Sequence, residues 1–231
     1  MPTIAENIAE TRRRIKLAAM RAGRDPNEIE LLVVTKAVDE AKAVEAVEAG
    51  VASLGESRVQ EARRKYKTIG ARAKWHMIGP LQTNKAKYCP GLFTLIHSVD
   101  RLDLIRELDR RSRSADVITE ILLQVNISGE SQKAGCRPED TAQLLKEASG
   151  LLNIKVSGLM TVPPYNEDPE ASRPYFKELV SLKNDLDAQG IDRVSLSEMS
   201  IGMTGDFEVA VEEGATIVRI GSAIFGKRVY N

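Results

Sequence analysis

Lys36, the pair Ser200 and Thr204, and the triplet Arg219, Gly221 and Ser222 are the residues of this chain whose types and spacing could do chemistry together. Lys36 ends the apolar run Leu31-Leu32-Val33-Val34-Thr35. A long amine leaving such a strand is partly desolvated, which lowers its pKa and frees the neutral nucleophile that a Schiff base needs. Ser200, Gly202 and Thr204 follow a second strand-like segment, and Gly221 and Ser222 follow a third and open a short helix through Ala223 to Phe225. Backbone amides at such turns point at an anion, glycines let the backbone approach it, and hydroxyls add donors. Each cluster alone is explained by ordinary loop and cap chemistry, and a lone strand-end lysine by snorkelling to solvent. Set opposite one another in a single ring of strands, they point to an aldehyde that bears a phosphate.

Arg219 lies inside the last strand, between Val218 and Ile220, where an unpaired charge is costly. Two roles fit: a buried salt bridge to a strand-end acid such as Glu56 or Glu198, or a ligand contact, with an aromatic ring nitrogen as candidate. An arginine there cannot give up its proton, so it would keep a pyridine nitrogen unprotonated and weaken the ring as an electron sink. The two histidines differ in setting. His76 sits within Trp75 to Ile78 and reads as a hydrogen-bonded core residue, whereas His97 stands at a strand end as a core residue or a base. Gly79-Pro80-Leu81-Gln82-Thr83-Asn84-Lys85 resembles a phosphate loop only superficially, since it lacks the GKS or GKT ending.

These residues require a frame of strands, and the chain repeats a strand-then-helix unit. After a lead-in helix over Thr3 to Ala22, strands are predicted at 31–35, 51–54, 75–78, 93–96, 118–125, 154–159, 194–196 and 217–220. Helices are predicted at 39–49, 58–66, 83–87, 101–111, 138–149, 169–188 and 206–213. Buried strands alternating with amphipathic helices demand parallel pairing with right-handed crossovers. Eight strands in 231 residues favour an α/β fold closed as a single (β/α)8 TIM barrel with an extra N-terminal helix. An open dinucleotide-binding sheet is disfavoured, because Lys36-Ala37-Val38-Asp39 replaces the GxGxxG turn. With no linker or low-complexity tract, residues 1–231 read as one domain. In such a barrel the site lies at the C-terminal strand ends, with phosphate held after strands seven and eight.

Composition excludes several classes. Lys and Arg balance Asp and Glu at 33 each, so no global field attracts nucleic acid or an anionic membrane. The runs Arg12-Arg13-Arg14 and Arg63-Arg64-Lys65 read as solvated helix faces. Cys89 and Cys136 lack disulfide-framework or metal spacing and read as reduced thiols. The first ten residues have no signal-peptide core, and no apolar run reaches membrane-spanning length, so a cytoplasmic protein is expected.

Longer motifs carry a resemblance. Leu31 to Lys36, Gly55-Glu56-Ser57-Arg58-Val59-Gln60-Glu61, Trp75 through Lys85, His97-Ser98-Val99-Asp100, Val125 through Glu130, Gly158 through Pro164 and the two closing segments closely resemble the pyridoxal phosphate homeostasis protein family. The resemblance implies a fold-type III barrel like the N-terminal domain of alanine racemase, with pyridoxal 5'-phosphate (PLP) held as a Schiff base on Lys36. It also implies that Ser200, Thr204, Gly221 and Ser222 surround the phosphate, that Arg219 faces the pyridine nitrogen, and that Ser57 lies near the ring hydroxyl. At Ser57 the family usually has Asn, so a direct contact with the ring hydroxyl is lost or bridged by water. Ile201 and Thr204 stand where Met and Ser are usual; Thr204 keeps the hydroxyl.

The resemblance implies a non-catalytic holder of PLP that helps control its free concentration, with apo PLP enzymes as further partners. The alternative is a small PLP-dependent amino-acid racemase, with Lys36 as one base and His97 or Tyr165 as the other. Racemases of this fold draw the second base from an added β domain of a partner subunit, whereas this chain ends directly after the barrel. A monomer is therefore the expectation.

Overall fold

Eight parallel strands hydrogen-bond in chain order and close into a barrel in the computed structural model, which describes residues 2–226. They are β1 (Glu30–Val34), β2 (Ser53–Glu56), β3 (Lys74–Met77), β4 (Leu95–Val99), β5 (Thr119–Gln124), β6 (Ile154–Met160), β7 (Val194–Met203) and β8 (Ile217–Ile220). The surrounding helices are α1 (Ile4–Arg21), α2 (Glu40–Glu48), α3 (Val59–Ile69), α4 (Leu102–Ser114), α5 (Thr141–Ser149), α6 (Arg173–Asp187), α7 (Phe207–Glu212) and α8 (Ser222–Phe225). The expected barrel and its extra N-terminal helix are both present. Among the described residues no helix is long and apolar enough to cross a membrane.

Local chemistry explains how α1 starts and where it sits. Thr3 and Glu6 form a reciprocal capping box that satisfies two of the helix's otherwise orphaned amides. Its Ile8, Thr11, Ile15, Ala18 and Ala19 recur on one face and are buried. The Asn7 side-chain amide donates to the Ile224 carbonyl at 2.9 Å, and Arg14 pairs with Glu208 at 3.0 Å, so α1 braces the last two helices.

Three helical expectations change, one of them over 138–149, which becomes a 3-10 turn, Pro138–Asp140, followed by α5. The segment after β3 is a 3-10 helix, Thr83–Tyr88. It is confined between Pro80 and Pro90, a length over which i to i+3 bonds are the ones that close. The helix expected over 169–188 is divided into a 3-10 turn, Pro169–Ser172, and α6. Pro174 has no N–H with which to continue an α ladder from the preceding turn, so the α-helix restarts around it.

Four strands run past their expected ends, β2 and β6 by one or two residues and β4 and β7 by more, and these last two extensions matter to the site. β4 continues to Val99, which puts His97 inside the strand rather than at its end. β7 continues to Met203, with a register shift against β8 between Ser200 and Met203 that breaks the simple alternation. Gly202 sits there at φ 87°, and a Cβ on it would stand 2.5 Å from that of Ala210.

Outward-facing residues such as Val33, Trp75, Ile96 and Val218 join the large apolar shell between strands and helices. Leu32, Leu95, Leu122, Met160 and Ile217 form a second, smaller cluster inside the barrel, with Ile78 and Val162 against it. The interior is otherwise polar: His76, His97, Ser200 and Arg219 are all buried.

Candidate functional site

A cavity of about 390 Å³ opens at the C-terminal ends of the strands. Its size falls within the usual range for small-molecule sites. Val34, Ile78, Val162 and Pro164 give it apolar walls, and Lys36, Ser57, Thr204, Arg219, Gly221 and Ser222 all border it.

Lys36 emerges from a turn that is held in place from several directions. Ala37, just after it, has φ 54°, a left-handed conformation uncommon for a residue with a side chain. The turn is kept by the Ala37 amide donating to Glu61 Oε2 at 3.0 Å and the Val38 amide donating to the Thr35 carbonyl at 3.0 Å. Beneath it, Lys65 Nζ donates to the Thr35 carbonyl and to Glu56 Oε1, both at 2.6 Å, and the Thr35 hydroxyl donates to the same carboxylate oxygen at 2.7 Å. Glu61 and Lys65 come from one face of α3, four residues apart. Burial pushes the Glu56 carboxyl above its ordinary range, opposed by the Lys65 ammonium. Lys65 was expected on a solvated face and is instead fully buried. The Lys36 side chain itself is half-buried at the mouth and has no ion pair or hydrogen bond to any described residue.

Arg219 reaches the cavity from β8, which closes the barrel directly against β1, so the lysine and the arginine stand on neighbouring strands rather than opposite one another as expected. Its two terminal nitrogens are engaged: one donates to the Ser200 carbonyl at 2.6 Å and to Ser200 Oγ at 2.7 Å, the other to the Thr161 carbonyl at 2.9 Å. Among the described residues no carboxylate pairs with it. The salt-bridge alternatives do not form, because Glu56 is taken by Lys65 and Glu198 accepts from the Thr216 hydroxyl at 2.6 Å. Burial pushes the guanidinium down to about 10, against the pull of Asp206, and it stays charged at neutral pH. Nε is the nitrogen left without a partner among the described residues.

The loop after β7 and the start of α8 form the third wall. Asp206 ties the loop down, accepting from the Met203 amide at 2.7 Å and the Ser172 hydroxyl at 2.8 Å. Thr204 Oγ1 accepts from the Ala223 amide at 3.4 Å, which joins the two hydroxyl-bearing segments and leaves its proton to donate. On the near side, Gly79 lets the loop after β3 approach Ser57; a Cβ there would stand 2.4 Å from the Ser57 carbonyl oxygen. The motif that resembled a phosphate loop thus serves packing.

Ser200 is the one expected site residue that does not border the cavity. It is fully buried within β7, beneath Arg219, and its Oγ lies 2.8 Å from His97 Nδ1. His97 is also fully buried, with its Nε2 2.9 Å from His76 Nδ1, so it cannot reach a substrate in the cavity as a base. Glu56, Lys65 and Asp206 were not singled out from the sequence as supports of the site. A Glu beside a strand-end Lys, with a second Lys on the next helix, was their only available signal.

Burial lowers both histidine pKa values, His97 well below 6.5 with help from His76 and Arg219, and His76 against the opposing pull of Glu30 and Glu120, with Lys74 adding to the lowering. The unfolded chain therefore binds protons that the folded chain refuses, and stability rises with pH across that window. It is complete above the ordinary histidine range and is lost as pH falls below it. Between about pH 7.5 and 5.5, each histidine that remains neutral is expected to cost roughly 1.3 kcal/mol of stability. Urea unfolding at the two pH values checks this, and an unchanged midpoint contradicts it.

Comparisons with known proteins fit this arrangement. A family model described as alanine racemase, N-terminal domain, matches residues 5–229. The chain is 44% identical over 226 residues to a pyridoxal phosphate homeostasis protein of Aquifex aeolicus, covering 97% of this chain and 98% of the relative. It is 34% identical over 239 residues to the protein of that name in Escherichia coli, covering 100% and 99%. Among solved structures, PipY of Synechococcus elongatus with PLP bound superposes with a TM-score of 0.85 at 32% identity, covering 97% of this chain and 100% of that one. An alanine racemase of Clostridium difficile matches at a TM-score of 0.75 and 16% identity, over 99% of this chain and 58% of that one, a likeness of fold.

Proposed function

This chain belongs to the alanine racemase N-terminal domain family, and from that premise we propose that its cavity binds PLP and that the protein serves the homeostasis of this cofactor in the cell. The observation that carries the reading is an amine without a partner, Lys36, facing a cavity whose other walls offer the Arg219 Nε–H and the hydroxyls of Thr204 and Ser222. When bound, PLP supplies an aldehyde that condenses with a primary amine with loss of water.

Each residue has a defined task. Lys36 provides the amine, held at the mouth by the Thr35, Glu56 and Lys65 cluster. Thr204, Gly221 and Ser222 supply donors suited to a phosphate, with small backbone profiles that let it approach. Arg219 offers Nε–H to the ring nitrogen and, being always charged there, leaves that nitrogen unprotonated. Ser57 borders the cavity with a shorter side chain than an amide. Ser200 acts through Arg219.

The reading is of a holder of PLP, monomeric, with apo enzymes as its recipients, rather than a racemase. His97, one of the two residues considered as a second base, is sealed from the cavity; Tyr165 is left, 89% exposed at the mouth. The test is an absorbance titration of the purified protein with PLP, followed by borohydride reduction and peptide mass mapping. A visible band that reduction converts into a phosphopyridoxyl group on Lys36 is expected. A colourless, unlabelled protein in excess PLP sinks the proposal, and loss of optical activity from L-alanine would replace the holder by an enzyme.

A further inference from the structure

A line of polar side chains runs through the barrel from its cavity to its opposite end, and the proposed function uses only its upper part. Arg219 donates to Ser200 Oγ at 2.7 Å, Ser200 Oγ meets His97 Nδ1 at 2.8 Å, and His97 Nε2 meets His76 Nδ1 at 2.9 Å. The line ends at Glu30, the first residue of β1, whose Oε1 lies 3.7 Å from His76 Nε2. These last two atoms are buried and have no hydrogen-bond partner among the described residues. The Glu30 side chain is 34% exposed, so its other face meets solvent at the barrel floor.

The direction of the line follows from counting protons. Arg219 is only a donor, so Ser200 Oγ must accept from it. If His97 Nδ1 also donated to Ser200, the serine proton would have no acceptor among the described residues. The serine therefore donates to Nδ1, and His97 carries its proton on Nε2. That proton goes to His76 Nδ1, which leaves His76 with its own proton on Nε2, facing Glu30. The reverse order would aim a nitrogen lone pair at a carboxylate. Both ends thus favour one direction, and bonds aligned in series reinforce each other. The other charges acting on the pair, Lys74 and Glu120 on His76 and Arg219 on His97, do not bond to either ring.

We propose that His76, His97 and Ser200 form a one-way hydrogen-bond relay along the barrel axis to Arg219, with the Glu30 carboxylate, 3.7 Å from His76 Nε2, as a remote positioning residue that fixes the relay's direction by its charge and so keeps the Arg219 guanidinium turned with Nε–H toward the cavity. The role assigned to that Nε–H rests on the PLP reading, whereas the relay is a property of the protein alone.

The test uses the full chain without PLP, labelled with ¹⁵N, and long-range ¹H–¹⁵N spectra of the imidazoles at neutral pH. Both histidines are expected in the Nε2–H form; an Nδ1–H form at either, or an even mixture, overturns the relay. Glu30→Ala is expected to change the tautomer ratio of His97, which does not touch residue 30, by about tenfold, through loss of the charge at the end of a buried, mutually polarised line. It is also expected to move the Arg219 Nε–H resonance. Glu30→Gln, which keeps the shape of the side chain and removes its charge, should shift both signals in the same direction as Glu30→Ala. An unchanged His97 or Arg219 signal in Glu30→Ala removes Glu30 from the role. Failure of the wild-type protein to bind PLP would overturn the functional reading, while the tautomers decide the relay independently.

Discussion

Lys36→Ala is expected to lose all of the borohydride-fixed phosphopyridoxyl label while unfolding at nearly the same urea concentration as the wild type. Among the described residues no other lysine borders the cavity. Lys65 is committed to Glu56 and Thr35, and Lys133 is paired with Glu130 at 3.1 Å. No other described lysine is therefore placed to take over the amine. The stability should change by no more than about 0.5 kcal/mol, as for other side chains that form no bond. Lys36→Arg, which keeps the charge but has no condensable amine, should be equally unlabelled. Label that persists at full stoichiometry in either variant, mapped to another residue, would move the chemistry away from the strand end.

The second large effect concerns the ion pair beneath that strand end. Lys65 and Glu56 are both fully buried, and Glu56 Oε2 already lacks a partner. Lys65→Met replaces the cation by an apolar chain of similar length and leaves a carboxylate uncompensated in the interior. The expected cost is about 3–5 kcal/mol, a large share of the stability of an ordinary domain. Because the Lys65 ammonium also holds the Thr35 carbonyl, PLP labelling at Lys36 should weaken along with stability. Combining Lys65→Met with Glu56→Leu removes both charges and should recover most of the loss, since two apolar groups no longer strand either ion. Urea unfolding of the two variants checks this. A loss below about 1 kcal/mol in Lys65→Met would mean that water or protonation relieves Glu56 at little cost.

Periodicity made the barrel legible in the sequence because parallel strands covered on both faces read as short apolar runs and the helices between them as amphipathic stripes. Residues lying just past those runs were legible for the same reason: Lys36, Thr204, Gly221 and Ser222 border the cavity at the strand ends. Depth inside the barrel was harder to read. Side chains alternate with a period of two, so a strand that continues a few residues further, as β4 and β7 do, decides whether His97 and Ser200 face a ligand or sit beneath one. Lys65 shows a different limit. In a basic run on a helix, only the position of Glu56 on the neighbouring strand tells a buried cation from a solvated one, and that contact is set by packing rather than by local pattern.

The closure of β1 against β8 has a consequence for how the protein is made. Leu32 pairs with Arg219 and Val33 with Ile220, so the amine after β1 and the guanidinium on β8 lie across the seam where the first and last strands meet. A ribosome-bound chain carries Lys36 from early in synthesis, yet the neighbouring wall does not exist until β8 has emerged and docked. Capture of a ligand across that seam therefore reports a finished, closed ring, and an unfinished chain has an amine with no pocket around it.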